Sequence, residues 1–261
     1  MRLVLDSTLH STEGFMTGRL SWALAAAVAL GSAGASAQEV ATYSAPTGLE
    51  VTVGLGFQAG VGHVYKNGMR LNQTIGDVKL SDAANGAVPF VAELGYRVTP
   101  NWFIGAYGSY THIITKENPY SCFEGWECAA SQLRFGPQVQ YHFSPTASFD
   151  PFVGMGFGMV ILRNENSGPV QTQAGTGNLK LKSSTRGPEF VNLTLGGKWR
   201  LGHSLSFGPF LTATFGRYTT RSGDTTLTLP SPLPTTTTPL GYADDGTYGA
   251  FMLGVRGSWN I

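Results

Sequence analysis

His142-Phe143-Ser144 places an imidazole and a hydroxyl two residues apart, the groups that acyl-transfer chemistry uses as base and nucleophile. A larger set carries charge. Glu93, Arg97, Arg134, Lys198, Arg200 and Arg256, with the amides Gln138 and Gln140, recur at alternate positions of otherwise apolar segments. One acid among several bases in a confined space either pairs and plugs that space or leaves a basic path for anions. Exchange of Glu93 between arginine partners would gate such a path. Cys122 and Cys128 form an even pair, read as a disulfide closing a short ring worth roughly 2 to 2.5 kcal/mol. No metal or cofactor is expected. His63, His112 and His203 lack ligand spacing, and Asp244-Asp245-Gly246 reads as a solvated turn rather than a calcium site.

Which chemistry is available depends on the elements that carry these residues. Four times an aromatic, a polar and an apolar residue occur in that order as an alternating segment ends: Tyr96-Arg97-Val98, Tyr141-His142-Phe143, Trp199-Arg200-Leu201 and Trp259-Asn260-Ile261. In a strand, residues two apart share a face, so each trio sets an aromatic and an apolar group on one side and a polar group on the other. Tyr and Trp gather where hydrocarbon meets head groups. Tyr96, Trp102, Tyr141, Trp199 and Trp259 therefore read as membrane-interface aromatics on the rim of a lipid-facing wall, with the polar partners turned into a lumen. The recurrence divides the chain into four hairpins, hence eight strands.

The alternation supplies the faces. Leu49, Val51, Val53, Leu55 and Phe57 point outward while Glu50, Thr52, Gly54 and Gln58 point inward. In the second strand Val88, Phe90, Leu94 and Tyr96 oppose Glu93 and Arg97. The third is ambiguous, and Trp102, Ile104, Ala106 and Tyr110 are assigned outside. In the fourth, Leu133, Phe135, Val139 and Tyr141 oppose Arg134, Gln138, Gln140 and His142. Met155, Phe157 and Met159 mark the fifth, Leu193, Leu195 and Trp199 the sixth, Leu211 and Phe215 the seventh, and Phe251, Leu253, Val255 and Trp259 the last. An apolar outside with a polar inside is the reverse of a soluble ligand-carrying barrel.

Arg19, the apolar run from Leu20 to Leu30 and Ala35-Ser36-Ala37 read as a signal peptide over residues 1–37, with Met16 as an alternative start; residues 38–261 then form the barrel domain. The run is shorter than the roughly 20 residues a helical span needs. Charged residues make up 13% of the chain, about half the usual share, which suits an apolar wall, and a net charge of +1 argues against a nucleic-acid partner.

Two features complicate the reading. Pro89, Pro137, Pro188 and Pro209 fall within strands, so bulges are expected there. Val170-Gln171-Thr172-Gln173 and Leu179-Lys180-Leu181-Lys182 also alternate, leaving a ten-stranded barrel as an alternative to a hairpin raised above the membrane. Turns after the trios are short, whereas four connections at the other end run to twenty residues or more, the pattern of periplasmic turns and external loops. The fourth, with Pro230, Pro232, Pro234 and Pro239 around Thr235 to Thr238, is expected to stay extended and unfolded.

Leu94-Gly95-Tyr96-Arg97-Val98-Thr99-Pro100-Asn101-Trp102 and Pro151-Phe152-Val153-Gly154-Met155-Gly156 resemble segments of the small eight-stranded outer-membrane proteins of the OmpA, OmpX and OmpW type. Ile261 departs from the terminal aromatic common there, although Trp259 keeps an aromatic on the same face. The resemblance implies export through the Sec pathway, recognition by the barrel-assembly machinery and residence in the outer membrane of a Gram-negative cell.

The expectation is an all-β, transmembrane, antiparallel up-and-down barrel surrounded by lipid and lipopolysaccharide, sufficient as a monomer. Its expected role is structural or surface interaction through long external loops with an unidentified ligand. A narrow channel for small solutes or anions is the rival. The third reading, a lipopolysaccharide-modifying enzyme, rests on the His142 and Ser144 spacing, which the lipid A deacylases share. His142 would face the lumen at the periplasmic end without a nearby carboxylate, Asp150 lying beyond the turn, so no enzyme is expected.

Overall fold

Each alternating segment becomes a strand paired with its neighbours in the chain. The structure is a computed structural model that describes residues 46–70, 73–117, 122–173, 175–202, 204–240 and 244–261. The expected signal peptide lies outside the described residues. The elements are β1 (Gly48–Arg70), β2 (Gln73–Lys79), a one-turn helix α1 (Leu80–Ala83), β3 (Ala84–Arg97), β4 (Trp102–Thr115), β5 (Glu127–His142), β6 (Phe149–Thr172), β7 (Gly175–Arg200), β8 (Leu205–Tyr218), β9 (Thr220–Thr228), β10 (Thr236–Pro239) and β11 (Asp244–Asn260).

Eight of these close a ring. From β1 the antiparallel ladders run through β3, β4, β5, β6, β7, β8 and β11, and β11 pairs back onto β1 from Glu50 opposite Asn260 to Lys66 opposite Asp244. Closure removes every edge at membrane depth, where unpaired backbone groups would cost several kcal/mol each. The outward residues form the wall: Leu55, Phe90, Leu94, Ile104, Met155, Phe157, Leu195, Phe251 and Leu253 are all exposed. Trp102, Ile104, Ala106 and Tyr110 lie outside, and Phe103 and Tyr107 are buried within. Among the described residues no helix is long and apolar enough to cross a membrane.

The strands exceed the ten residues read from the alternation, because the long connections are themselves mostly β. β6 and β7 continue as one hairpin to Thr172 opposite Gly175, with Val170 to Lys182 beyond the ring rather than as extra staves of it. β1 runs on and folds back through β2, which pairs His63 with Lys79, and α1 then turns over the mouth. The proline-rich fourth connection is also structured, contrary to expectation. β9 zips onto β7 from Thr220 opposite Arg186 to Thr228 opposite Asn178, and β10 returns along β9 with Pro239 opposite Asp224. The reason is supply and demand of backbone partners: β7 outlasts β8 and would leave an open edge. Pro239 is tolerated because β10 is the outermost strand.

The in-strand prolines behave differently from expectation. Pro89, Pro137 and Pro209 each keep register with both neighbours; one ladder continues through the proline, and the other is interrupted beside it without slipping. A proline lacks one N–H, and that donor points at one neighbour only. At Pro188 alone of the four does the register shift, against both β6 and β8. A further shift, between Ala84 and Gly86, involves no proline.

Candidate functional site

Inward alternation stacks polar side chains up the lumen, and the layers can be followed from the end with the short turns. Glu50 lies between Arg97 and Lys198: Arg97 Nε donates to Glu50 Oε2 at 2.5 Å, and Lys198 Nζ donates to Glu50 Oε1. His142 Nδ1 is 2.8 Å from Asp150 Oδ2, leaving Nε2 to accept from Arg97 Nη2 at 3.2 Å. The Ser144 amide donates to Asp150 Oδ1, and Arg97 Nη1 reaches the Pro100 carbonyl, so the turns are tied to this layer. The next layer joins Glu93 to Arg256, whose Nη1 lies 2.9 and 3.0 Å from the two carboxylate oxygens. Gln140 bridges them, donating to Glu93 at 2.9 Å and accepting from Arg256 at 3.1 Å. The Arg256 guanidinium stands 3.8 Å over the Phe152 ring, which packs with Val91, Phe210 and Met252.

Mid-barrel, Glu189 takes Arg134 Nε at 2.6 Å, Tyr107 Oη at 2.6 Å and Asn192 Nδ2 at 2.9 Å. Arg134 Nη2 donates to Glu189 Oε1 at 3.1 Å and to Thr214, and Nη1 donates to Gln58. Gln58 hands the network on to Gln132 and thence to Tyr218. Above this the lumen turns apolar. Val64, Val78, Val160, Leu162, Tyr218 and Tyr248 form a cluster covered by Leu80 and Ala83 of α1. A cavity of about 240 Å³ remains in this mouth, between Leu80, Ile113, Leu162 and Tyr248.

The residues singled out from the sequence are thus partly brought together. Glu93, Arg97, Arg134, Gln140, Lys198 and Arg256 are buried inside the ring. Gln138 is half-buried, and its Nε2 has no hydrogen-bond partner among the described residues. Arg200 is not part of the filling; it sits at the turn end and donates to the Pro145 carbonyl. The aromatics form a girdle at that end, with Trp102 and Tyr141 at 5.0 Å, Tyr141 and Phe143 at 5.1 Å, and Trp199 beside Phe149. Tyr96 and Trp259 are exposed on the same outer face. Cys122, in the β4–β5 connection, is joined by a disulfide to Cys128 at the start of β5. Trp126 of that ring lies over Gly168, where any side-chain carbon would strike the indole.

Three expectations are overturned. The lumen has no basic surplus: the buried acids Glu50, Glu93, Asp150 and Glu189 face the buried bases Arg97, Arg134, Lys198 and Arg256, four against four. Glu93 is therefore not one acid shared among many bases, and its guanidinium partner is Arg256. His142 does have a carboxylate, because Asp150 begins β6 inside the barrel instead of lying beyond the turn.

Of the acids beyond Glu93, Glu50 already stood on the inward face with Thr52, and Asp150 was open to detection, since it shares parity with the inward Gly154. Glu189 was not. Asn192, Thr194 and Lys198 put even positions inside, yet Glu189 is 1% exposed and Phe190 is 52% exposed. The bulge after Pro188 inserts one residue and reverses the parity. Proline was the only local signal.

No protein-family model matches the chain, and no curated protein matches it. Solved structures similar to it include Neisserial surface protein A, at 10% identity over 82% of this chain and 97% of that one, with a TM-score of 0.39. The outer membrane protein OprG from Pseudomonas aeruginosa is 11% identical over 84% of this chain and 100% of its own, with a TM-score of 0.42. The outer membrane protein AlkL is 12% identical over 86% and 95%, with a TM-score of 0.37. At such identities and scores these likenesses carry no argument about what the barrel does. The closed ladder, the apolar outer wall, the aromatic girdle and the polar filling themselves make this chain a small eight-stranded transmembrane β-barrel of the outer-membrane type.

Proposed function

We propose that the barrel is closed to solutes and works as a membrane-anchored platform for surface interaction, through the β structure it raises outside the outer membrane. One observation carries this reading: among the described residues the four buried acids of the lumen are paired with its four buried bases, from Glu50 near the short turns to Glu189 in mid-barrel. A charge paired and hydrogen-bonded in so narrow a space is costly to separate, so the network is a better stopper than a path. The short turns place the other end outside. There β6 and β7 extend some 14 residues past the ten or so needed to cross, on the order of 40 Å along the strands. Their surface is rich in hydroxyls, amides and charge, which suits a wet, adaptable contact. In this reading Sec exports the chain, residues 1–37 are removed, and the barrel-assembly machinery inserts a monomer.

The same arrangement supports a non-enzymatic role. His142 is fully enclosed and committed to Asp150 and Arg97, which supports a structural imidazole rather than a base. The test is single-channel recording of refolded protein in a planar bilayer, with heat-modifiability confirming a folded barrel. Silence is expected. Discrete steps of stable amplitude in wild-type protein would overturn the closed reading in favour of the narrow channel.

A further inference from the structure

The outer face of the β4–β5–β6–β7–β9 wall carries a polar row that neither the filling nor the lipid belt explains. Cross-strand pairing lines up His112 with Ser131, Ser131 with Arg163, Arg163 with Ser184, and Ser184 with Ser222. All five have the outward parity. Two residues nearer the short turns on each strand, and so about 7 Å lower, the matching row is Tyr110, Leu133, Ile161 and Arg186. Tyr110 and Leu133 are exposed and belong to the lipid-facing wall. On β4, β5 and β6 the change from hydrocarbon-type to polar surface thus happens across a single row, with the exposed Arg186 on β7 already polar, and there the wall is grooved. A cavity of about 460 Å³ is lined by Tyr110, His112, Ser131, Arg163, Lys182 and Ser184, with the carboxylates Glu165 and Asp224 also on its wall.

Arg163 stands between Ser131 and Ser184 on the neighbouring strands, whereas Lys182 stands between Glu165 and Asp224. Glu165 is ion-paired with Lys180, at 2.5 Å, and Asp224 accepts from the Thr226 hydroxyl and keeps its charge. Among the described residues neither Arg163 nor Lys182 has a carboxylate within 4.0 Å. Ser184 Oγ is shut from solvent without a hydrogen-bond partner among them. A guanidinium, an ammonium, an imidazole and several hydroxyls converging on one concavity are the complement of a phosphate: Arg offers paired donors in a fixed fork, and hydroxyls complete the shell.

We infer that this groove is a binding site for the phosphorylated headgroup of an outer-leaflet lipid, whose acyl chains lie down the wall over Tyr110, Leu133 and Ile161 while Arg163 holds the phosphate, with the ammonium of Lys182 screening it from Glu165 and Asp224. The inference rests on the outward orientation proposed above. The lipid is the committed source of the phosphate, because the apolar half of the site adjoins the polar half without a gap. Free phosphate would use only the polar half.

Full-length protein refolded in an uncharged detergent is titrated with dioleoyl phosphatidic acid, with dioleoylglycerol as its phosphate-free counterpart and with inorganic phosphate, and binding is read by native mass spectrometry and calorimetry. Phosphatidic acid is expected to bind, dioleoylglycerol not to, and inorganic phosphate to bind at least about tenfold more weakly than the lipid. Arg163→Gln is expected to weaken lipid binding about tenfold or more, whereas Lys79→Gln, an exposed cation outside the groove, leaves it unchanged. Equal binding by wild type and Arg163→Gln, equal loss with Lys79→Gln, or inorganic phosphate binding as tightly as the lipid would each overturn the proposal. Binding in micelles depends on neither conductance nor leaflet, so failure here is separable from failure of the closed-barrel reading.

Discussion

Glu189 Oε2 lies 2.6 Å from Arg134 Nε in mid-barrel, and both side chains are shut off from solvent. The pair is reached from different strands, and the carboxylate also holds Tyr107 and Asn192. Removing one partner strands the other charge in a low-dielectric interior, which costs about 3 to 5 kcal/mol; removing both replaces the pair by packing and costs far less. Glu189→Gln or Arg134→Met should therefore each destabilise the barrel by about that amount, and Arg134→Met with Glu189→Leu should recover most of it. Equilibrium urea unfolding in lipid vesicles measures all three.

Neutralising acids should convert the stopper into a path. With Glu50→Ala and Glu93→Ala together, Arg97, Lys198 and Arg256 lose the carboxylates that bind them now, except for the longer 3.9 Å contact of Arg97 with Asp150. Uncompensated like charges repel and draw water and anions into the lumen. Planar-bilayer recordings should show anion-preferring steps from this variant beside a silent wild type.

The Cys122–Cys128 ring closes only a short segment, with a sequence separation of 6, so chain entropy limits its contribution to about 2 kcal/mol. Cys128 pairs with Asn166 at the end of the β5–β6 ladder far from the short turns, so the bridge lies away from the membrane-depth part of the ring. Reduction should lower the unfolding free energy by no more than that amount and should leave heat-modifiable migration intact. Unfolding curves with and without reductant provide the comparison.

Outside the membrane, Glu165 is held below the usual carboxylate range, first by its hydrogen bond with Lys180 and then by the charges of Lys180 and Lys182. A depressed folded-state value means the contribution is present above the ordinary carboxylate pKa and is lost as pH falls through the depressed value. Because the group is fully exposed, the consequence for stability is small and is best read locally. Lys180→Gln should move the Glu165 titration upward, as followed by carboxyl chemical shifts in protein labelled at glutamate.

Period-two alternation, four aromatic trios and turn residues were enough to specify eight membrane strands and which side of each meets lipid, because hydrocarbon selects strongly: the outward residues at membrane depth, Leu55 and Leu253 among them, are apolar whatever their neighbours are. The inward assignment of Glu93, Arg134, Lys198 and Arg256 followed from the same rule. Partner choice did not. Whether Arg134 meets Glu93 or Glu189 depends on which strands face one another across the lumen and at what height, and neither is a property of a local segment. The insertion after Pro188 made this worse, since one unpaired residue reversed the parity of everything above it and hid the acid that balances Arg134. The extent of the strands was equally a tertiary matter. Thr220 to Thr228 and Thr236 to Pro239 are rich in threonine but carry no apolar alternation, and they become strands because the overhanging edge of β7 offers unsatisfied backbone groups. Local pattern decides which face of a strand is buried, whereas closure of the ring decides what the buried faces meet.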